Sequence, residues 1–384
     1  MDLAELILWI SLACVAYTTL GYPLLLQVCA ALVRSTPGHP LPVPSSVSIV
    51  MAVHNEQERI GARLVELRER LAESGLEGEI LVVSDGSTDA TVKLARTHEG
   101  PHLRVLELPA REGKAAALNA GCAAATAEIV VFVDVRQTLA PTALPRLRAR
   151  FIDSRVGAVS GELVIEESPG VLRGVGWYWR LEKWLRSTES RVHSVVGVTG
   201  AISAVRRELY QPIPAGTLLD DVYWPLRVVM CGHRVVYERG ACAFDRLPTQ
   251  ARHEFRRKVR TLAGNYQLMT LLPSAVLPWR NPVWWQFLSH KILRLAVPWA
   301  LVAAFIAGAF LEQPAYRLMF AGQVLFYAVA VAGLWPWRTH TARLPAAAAS
   351  FVLLNAAAWV AFWVWITGRT DTIWNTRAIG PRAN

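Results

Sequence analysis

The chain has 384 residues, 53% of them hydrophobic and 18% charged. That length suits one large domain or two ordinary ones with filled cores, and the apolar content excludes a disordered chain. Lys and Arg outnumber Asp and Glu by 40 to 30, a net charge of +10, which suits an anionic partner. The basic surplus clusters beside apolar segments and not along a binding face, which argues against nucleic acid. Five Cys residues (Cys14, Cys29, Cys122, Cys231 and Cys242) form no Cys-x-x-Cys pair, so no disulfide or zinc framework is expected.

The first element is Leu6 to Val33, 28 residues without Asp, Glu, Lys or Arg. It is too long for a signal-peptide core and lacks a basic start, so it reads as a retained membrane anchor. Residues 1–34 are therefore assigned to this anchor. Pro-rich Ser35 to Ser46 reads as a linker into an aqueous domain spanning 35–275.

Within that domain strand and helix patterns alternate. Val47 to Val53, Ile80 to Val83, Leu103 to Leu108 and Ile129 to Val133 have the length and apolar content of buried strands. Glu58 to Ser74, Thr88 to Thr97 and Lys114 to Thr126 read as the helices between them. This alternation predicts a parallel sheet with helices on both faces. Further on, Trp177, Leu181 and Trp184 recur at helical spacing with Arg180, Lys183 and Arg186 between them. They predict an amphipathic helix packed on the sheet or the bilayer, or an aromatic platform for an acceptor. His193, His233 and His253 have no metal-ligand spacing.

Three further apolar stretches follow: Leu295 to Leu311, Leu318 to Trp337 and Leu344 to Thr367, of 17, 20 and 24 residues. They predict about three more spans, so residues 276–384 form an interfacial segment, those spans and a tail. Ten of the 15 Trp residues lie at or after Trp279. Trp279, Trp284 and Trp285 precede the second span, where indoles favour the headgroup layer. Between Arg252 and Arg294 eight Lys or Arg stand against one acid, Glu254, and the loop from Arg338 to Arg343 is also basic. Basic flanks put these regions in the cytoplasm and the acidic start, Asp2 and Glu5, outside. The chain is thus expected to be multi-pass in a cell (inner) membrane. The tail, with Arg369, Arg377 and Arg382 against Asp371, conflicts with that orientation.

In an open α/β sheet ligands bind beyond the carboxyl ends of the strands. Polar residues sit there: His54, Asn55 and Glu56 after the first strand, Ser84 to Ser87 after the second, and Asp134 to Arg136 after the strand at 129–133. Any one Asp in such a place also serves as a turn or helix cap; three polar strand ends on one rim favour a site. No Gly-x-Gly-x-x-Gly or Walker Lys-Ser/Thr occurs at these turns, which argues against dinucleotide oxidoreductases and P-loop enzymes.

These residues form an ordered set: Val-Ser-Ile-Val-Met-Ala-Val-His-Asn-Glu (47–56), Val-Ser-Asp-Gly-Ser-Thr-Asp (83–89), Gly-Lys-Ala-Ala-Ala-Leu-Asn (113–119), Phe-Val-Asp-Val-Arg (132–136), Thr-Gly-Ala (199–201) and Leu-Asp-Asp-Val (219–222). The set resembles membrane-embedded family 2 glycosyltransferases, the branch that includes cellulose, chitin and hyaluronan synthases, over roughly 47–267. The resemblance implies an α/β fold of GT-A type, a Rossmann-like domain that binds a nucleotide-sugar donor, with transmembrane helices attached. It implies donor contacts from Glu56 and Asp85 to the base and ribose, and from Lys114 to nucleotide or phosphate. Asp134 matches the first acid of the family's Asp-x-Asp and would hold Mg2+ or Mn2+ on the donor diphosphate. The third position here is Arg136, so either Asp134 holds the metal alone or Arg136 neutralises diphosphate directly.

By the same resemblance Asp221, preceded by Asp220, is the general base of an inverting transfer to a glycan or lipid-linked acceptor. The family's Gln-x-x-Arg-Trp corresponds to Arg257-Lys258-Val259-Arg260-Thr261. Arg260 keeps the Arg, and Arg256, Arg257 and Arg260 are positioned for the leaving diphosphate or for anionic lipid. Loss of the Trp leans against processive polymerisation and toward single additions. Arg136 and the altered basic motif leave a non-catalytic nucleotide-sugar-binding scaffold subunit of a polysaccharide secretion complex as the rival reading.

Overall fold

The computed structural model describes residues 2–33, 38–166, 173–246, 251–333 and 343–368. The loop 338–342, the tail beyond Gly368 and the side chain of Trp177 lie outside the described residues. The first apolar stretch forms α1 (Leu3–Ala16) and α2 (Tyr22–Leu32), joined by a π-helical turn, Tyr17–Gly21. Asp2 caps its start: the carboxylate accepts the Glu5 N–H at 2.8 Å, while the Glu5 carboxylate accepts the Asp2 N–H at 3.1 Å, which satisfies two helix-end donors reciprocally.

The sheet domain begins with β1 (Ser46–Val53), α3 (Ile60–Ser74), β2 (Glu77–Asp85), α4 (Thr91–Arg96), β3 (Leu103–Leu108), α5 (Lys114–Ala124) and β4 (Ile129–Val133). These four strands pair in parallel, as the alternation predicted. It continues with β5 (Thr138–Leu139), α6 (Ala143–Ala149), β6 (Val156–Glu166), α7 (Arg173–Val192), β7 (Ile202–Arg206), α8 (Asp220–Met230) and β8 (Arg234–Arg246). One eight-stranded sheet results, in the order β3-β2-β1-β4-β7-β6-β8-β5. β7 runs antiparallel to both β4 and β6, so the sheet is mixed beyond β4 and not wholly parallel.

Strand side chains alternate between two cores, as a period of two requires. Ile49 and Met51 of β1 pack with Ile60, Leu64 and Leu67 of α3 on one face. Val50 and Phe132 pack with Ala115 and Leu118 of α5 and with Trp224 of α8 on the other. α5 and α8 therefore lie on the same face, and their N-terminal residues, Lys114 and Asp220, come close together.

The chain then forms α9 (Ala251–Leu271), α10 (Trp284–Phe287), α11 (Leu293–Phe310), α12 (Pro314–Gly333) and α13 (Arg343–Ile366). Among the described residues four helices are long and apolar enough to cross a membrane: Leu3–Leu32, Trp284–Phe310, Pro314–Gly333 and Ala347–Ile366. The second starts at Trp284, well before the expected Leu295, and Trp284 and Trp285 belong to it instead of preceding it. Its early polar residues, Gln286, Ser289 and His290, are buried against protein, a compensation that hydropathy cannot register. Leu8 packs with Ala304, Ala307 and Leu311, and Trp299 stacks on Trp359 at 4.4 Å. Tyr22 and Leu26 of α2 pack on Leu185 of α7, and Val259 and Ala263 of α9 pack on Ala357 and Ala361 of α13. The apolar helices are thus built onto the sheet domain through α7 and α9.

Candidate active site

The loops after β1 and β2 are clipped together. Asn55 takes a left-handed conformation, φ 54°, which Asn tolerates better than most side chains. Its Oδ1 accepts the Thr88 N–H at 2.8 Å. Glu56 donates its N–H to Thr91 Oγ1 at 2.7 Å, and its carboxylate pairs with Arg59 at 2.8 Å. Asp85 is buried. Its Oδ1 accepts the N–H groups of Glu112 at 2.7 Å and Gly113 at 2.9 Å, and Oδ2 accepts that of Gly113 at 3.0 Å. Asp85 thereby fixes the start of α5, whose first residue is Lys114. A carboxylate has about four lone-pair positions, so this one retains capacity for a ligand.

Lys114 is the centre of the rim. Its Nζ donates to Asp134 Oδ1 at 3.0 Å and lies 3.5 Å from Asp220 Oδ2. A pocket opens here, lined by Lys114, Asp134, Gly200, Asp220 and Asp221, with Trp224 among its apolar walls. Gly200 keeps it open: a Cβ there would lie 3.4 Å from Lys114 Nζ and 3.6 Å from Asp134 Oδ2. Two carboxylates from distant parts of the chain thus share one ammonium, and a third, Asp221, lines the same pocket. Burial disfavours the Lys114 charge, yet Asp134, Asp220 and Asp221 together push its pKa well above the ordinary lysine value. Burial and the adjacent Asp220 push Asp221 up to about 6, against the opposing pull of Lys114, Lys291 and Arg186.

The approach to α8 is held by α9. Gln267 Oε1 accepts the Leu218 N–H at 2.9 Å, and its Nε2 donates to the Gly216 carbonyl at 2.8 Å. A Cβ on Gly264 would sit 2.5 Å from Leu219 Cγ. Gln267→Ala should therefore loosen the 216–219 turn and misplace Asp220 and Asp221. Any reaction that uses these acids should slow about tenfold or more, since small displacements of a reacting group cost that much. Rate measurements on the variant check this; an unchanged rate would show the clip to be dispensable.

The remaining predicted site residues do not line this pocket. Glu56 and Asp85 stand at neighbouring strand ends. Arg136 is half exposed and pairs with Asp245 of β8 at 3.7 Å, and Gln137 donates to the same carboxylate at 2.7 Å. Arg257 lies over the Trp179 ring at 5.7 Å, with Lys258 at 5.9 Å, and Arg260 is further along α9. Gln267, Arg186 and Lys291 were given no site role from the sequence, where Arg186 counted only toward an amphipathic helix and Lys291 only toward a basic flank. For Lys291 a signal existed, a lysine within an apolar helix, but it is hidden when the span is begun at Leu295.

The Glycosyl transferase family 2 model matches residues 48–213, which run from β1 to just before α8. The chain is 22% identical, over 58% of its length, to the poly-beta-1,6-N-acetyl-D-glucosamine synthase of Staphylococcus aureus, covering 55% of it. It is 32% identical over 30% of its length to the dodecaprenyl-phosphate galacturonate synthase of Rhizobium johnstonii, covering 37% of it. It is 30% identical over 28% of its length to the undecaprenyl-phosphate 4-deoxy-4-formamido-L-arabinose transferase of Klebsiella pneumoniae, covering 34% of it. The chain thus spans between a third and just over half of these relatives. Among solved structures, a mannosyltransferase from Pyrobaculum calidifontis, in complex with GDP-Man and Mn2+, superposes with a TM-score of 0.69 at 24% identity over 94% of this chain and 99% of that one. The shared architecture is the GT-A fold that the motifs implied.

Proposed function

We propose that this chain is an inverting membrane glycosyltransferase of family 2. It moves a sugar from a UDP-linked donor to a glycan or lipid-linked acceptor at the cytoplasmic face, in the assembly of cell-surface polysaccharide. The observation that carries the reading is Asp221, a carboxylate titrating at about 6, in one pocket with the Lys114–Asp134 pair. A base of that strength is unprotonated near neutral pH and still able to take a proton. The acceptor hydroxyl gives its proton to Asp221 as its oxygen bonds to the anomeric carbon. The bond from that carbon to the diphosphate oxygen breaks on the opposite face, and the nucleoside diphosphate leaves with the electron pair. Configuration inverts. Lys114 offsets the charge that grows on the departing diphosphate, while Glu56 and Asp85 orient the nucleoside. The relatives named for prenyl-phosphate sugar transfer and for poly-N-acetylglucosamine synthesis support an acceptor of this class. The basic flanks of the apolar helices support a cytoplasmic sheet domain.

A divalent metal suits the donor set in one respect. Asp134 is about a third exposed, keeps Oδ2 beside the space that Gly200 leaves, and offers a hard oxygen ligand. Among the described residues no three acidic, His or Cys groups are arranged to hold a metal ion by themselves, so a bound Mg2+ or Mn2+ would complete its shell with diphosphate oxygens, as these ions commonly do. When bound, the ion would neutralise the diphosphate. Loss of the free Mn2+ electron paramagnetic resonance signal should therefore require UDP, and Asp134→Asn should abolish it. Equal Mn2+ uptake without UDP would contradict a metal site completed by the donor. The transferase reading itself is tested by screening nucleotide-sugars for diphosphate release with purified protein in lipid nanodiscs. Absence of both release and UDP binding, with Mg2+ or Mn2+ supplied, would reject it.

A further inference from the structure

One cation of the chain bridges two of the pocket's acids. Lys114 Nζ donates to Asp134 Oδ1 at 3.0 Å and lies 3.5 Å from Asp220 Oδ2. Asp134 follows β4 and Asp220 opens α8, so only the fold brings them together. Among the described residues Lys114 is the only basic side chain within 4.0 Å of either acid. Mg2+ and Mn2+ take this kind of donor set, one or two carboxylates with phosphate and water making up the rest. The ammonium therefore stands on the oxygens that a metal would need. A divalent ion on those oxygens would meet the Lys114 charge at contact range, with twice the repulsion between two single charges.

The lysine is rooted firmly but free at its head. Asp85 pins the backbone before it by accepting the Glu112 and Gly113 N–H groups at 2.7 Å and 2.9 Å. The four-carbon stem beyond that root turns about its single bonds without moving the helix. Gly200 borders the space in which it turns, since a Cβ there would lie 3.4 Å from Nζ and 3.6 Å from Asp134 Oδ2. Lys114 is about a quarter exposed, so the ammonium is within reach of an incoming ligand. A diphosphate carries more negative charge than either carboxylate and is a strong acceptor for such a donor.

We propose that Lys114 is an interlock on the metal site. Its ammonium and a divalent ion compete for Asp134 and Asp220, and a donor diphosphate admits the ion by drawing the ammonium onto its own oxygens. This rests on the transferase reading and adds an order to it: metal joins with the donor and not before. If missing ligands alone made metal wait for diphosphate, it would wait equally in a chain without the lysine.

The test measures Mn2+ retained by the full chain in phosphatidylcholine nanodiscs, by equilibrium dialysis without nucleotide and with empty nanodiscs as the blank. Lys114→Met should bind Mn2+ about tenfold or more tightly than the unsubstituted protein, because a repelling charge is gone. Lys114→Arg keeps a cation on the acids and should show no gain. Adding Asp134→Asn to Lys114→Met should cancel the gain, which ties it to this pocket. Equal Mn2+ affinity in Lys114→Met and the unsubstituted protein, or an equal gain in Lys114→Arg, would overturn the interlock. A further arm needs no variant: UDP should raise Mn2+ retention by the unsubstituted protein and uridine should not, after the Mn2+ held by free UDP is subtracted. Uridine acting as strongly as UDP would overturn the part given to the diphosphate, and the interlock with it. UDP binding without metal, read on the same samples, tests the donor site. Its failure counts against the transferase reading, while the nucleotide-free comparison judges the interlock by itself.

Discussion

Asp221→Asn should lower sugar transfer by about a thousandfold, within the range that a positioned proton acceptor supplies, while UDP still binds. In the unsubstituted protein the rate should rise with pH along a limb centred near 6, the value to which burial and Asp220 push the carboxyl. Below that limb Asp221 holds its own proton and cannot take one from the acceptor. The two neighbours shift the limb in opposite senses. Asp220→Asn removes the like charge and should move it to lower pH. A limb that stays in place in Asp220→Asn, or turnover that survives in Asp221→Asn, would remove Asp221 from the chemistry.

The same raised value has a consequence for stability. A carboxyl whose folded pKa lies above its unfolded one favours the fold while protonated, and loses that contribution as pH rises from the ordinary Asp range through about 6. Asp221→Asn should therefore melt higher than the unsubstituted protein at pH 7.5 and no higher at pH 4. Thermal scans at the two pH values check this sign.

Lys114→Met should have the second large effect. Lys114 is the ammonium shared by Asp134 and Asp220, at 3.0 Å and 3.5 Å. Without it three carboxylates face one pocket and no cation. Breaking a buried pair costs about 3–5 kcal/mol. Lys114 is about a quarter exposed, and solvent screening should reduce that to about 2 kcal/mol. Donor affinity should fall at least tenfold, because the diphosphate then meets bare acids. The pH limb of any residual activity should move upward, since Lys114 opposes the rise in the Asp221 value. Calorimetric titration with UDP and a denaturation curve read the two effects independently. Unaltered UDP affinity would show that Lys114 serves the acids and not the donor.

Much of this site was legible along the chain. Ile49, Met51, Val82 and Val131 sit in short apolar runs that can only be buried strands, and Glu56, Asp85 and Asp134 follow those runs because a parallel sheet brings its strand ends to one rim. The Asp85 carboxylate was legible as an acid at that rim, but not as the acceptor for Glu112 and Gly113, because those N–H groups come from a loop beyond the next strand. Arg136 reads in sequence as a cation in the place of an acid. Its pairing with Asp245 depends on β8 lying at the far side of a mixed sheet, which strand-helix alternation did not anticipate.

The amino-acid sequence by itself determined the apolar helices, the strands from β1 to β4 and the acids at their ends. These follow from runs of side-chain polarity over a few residues, and each local solution forms whatever lies elsewhere. Only the tertiary structure decided that Lys114 meets both Asp134 and Asp220, and that Glu182 and Glu189 are occupied by His290. Charges act through space over several ångströms, and which of them become neighbours is set by the order of the strands and the docking of α7 on the apolar helices. No local pattern encodes that order.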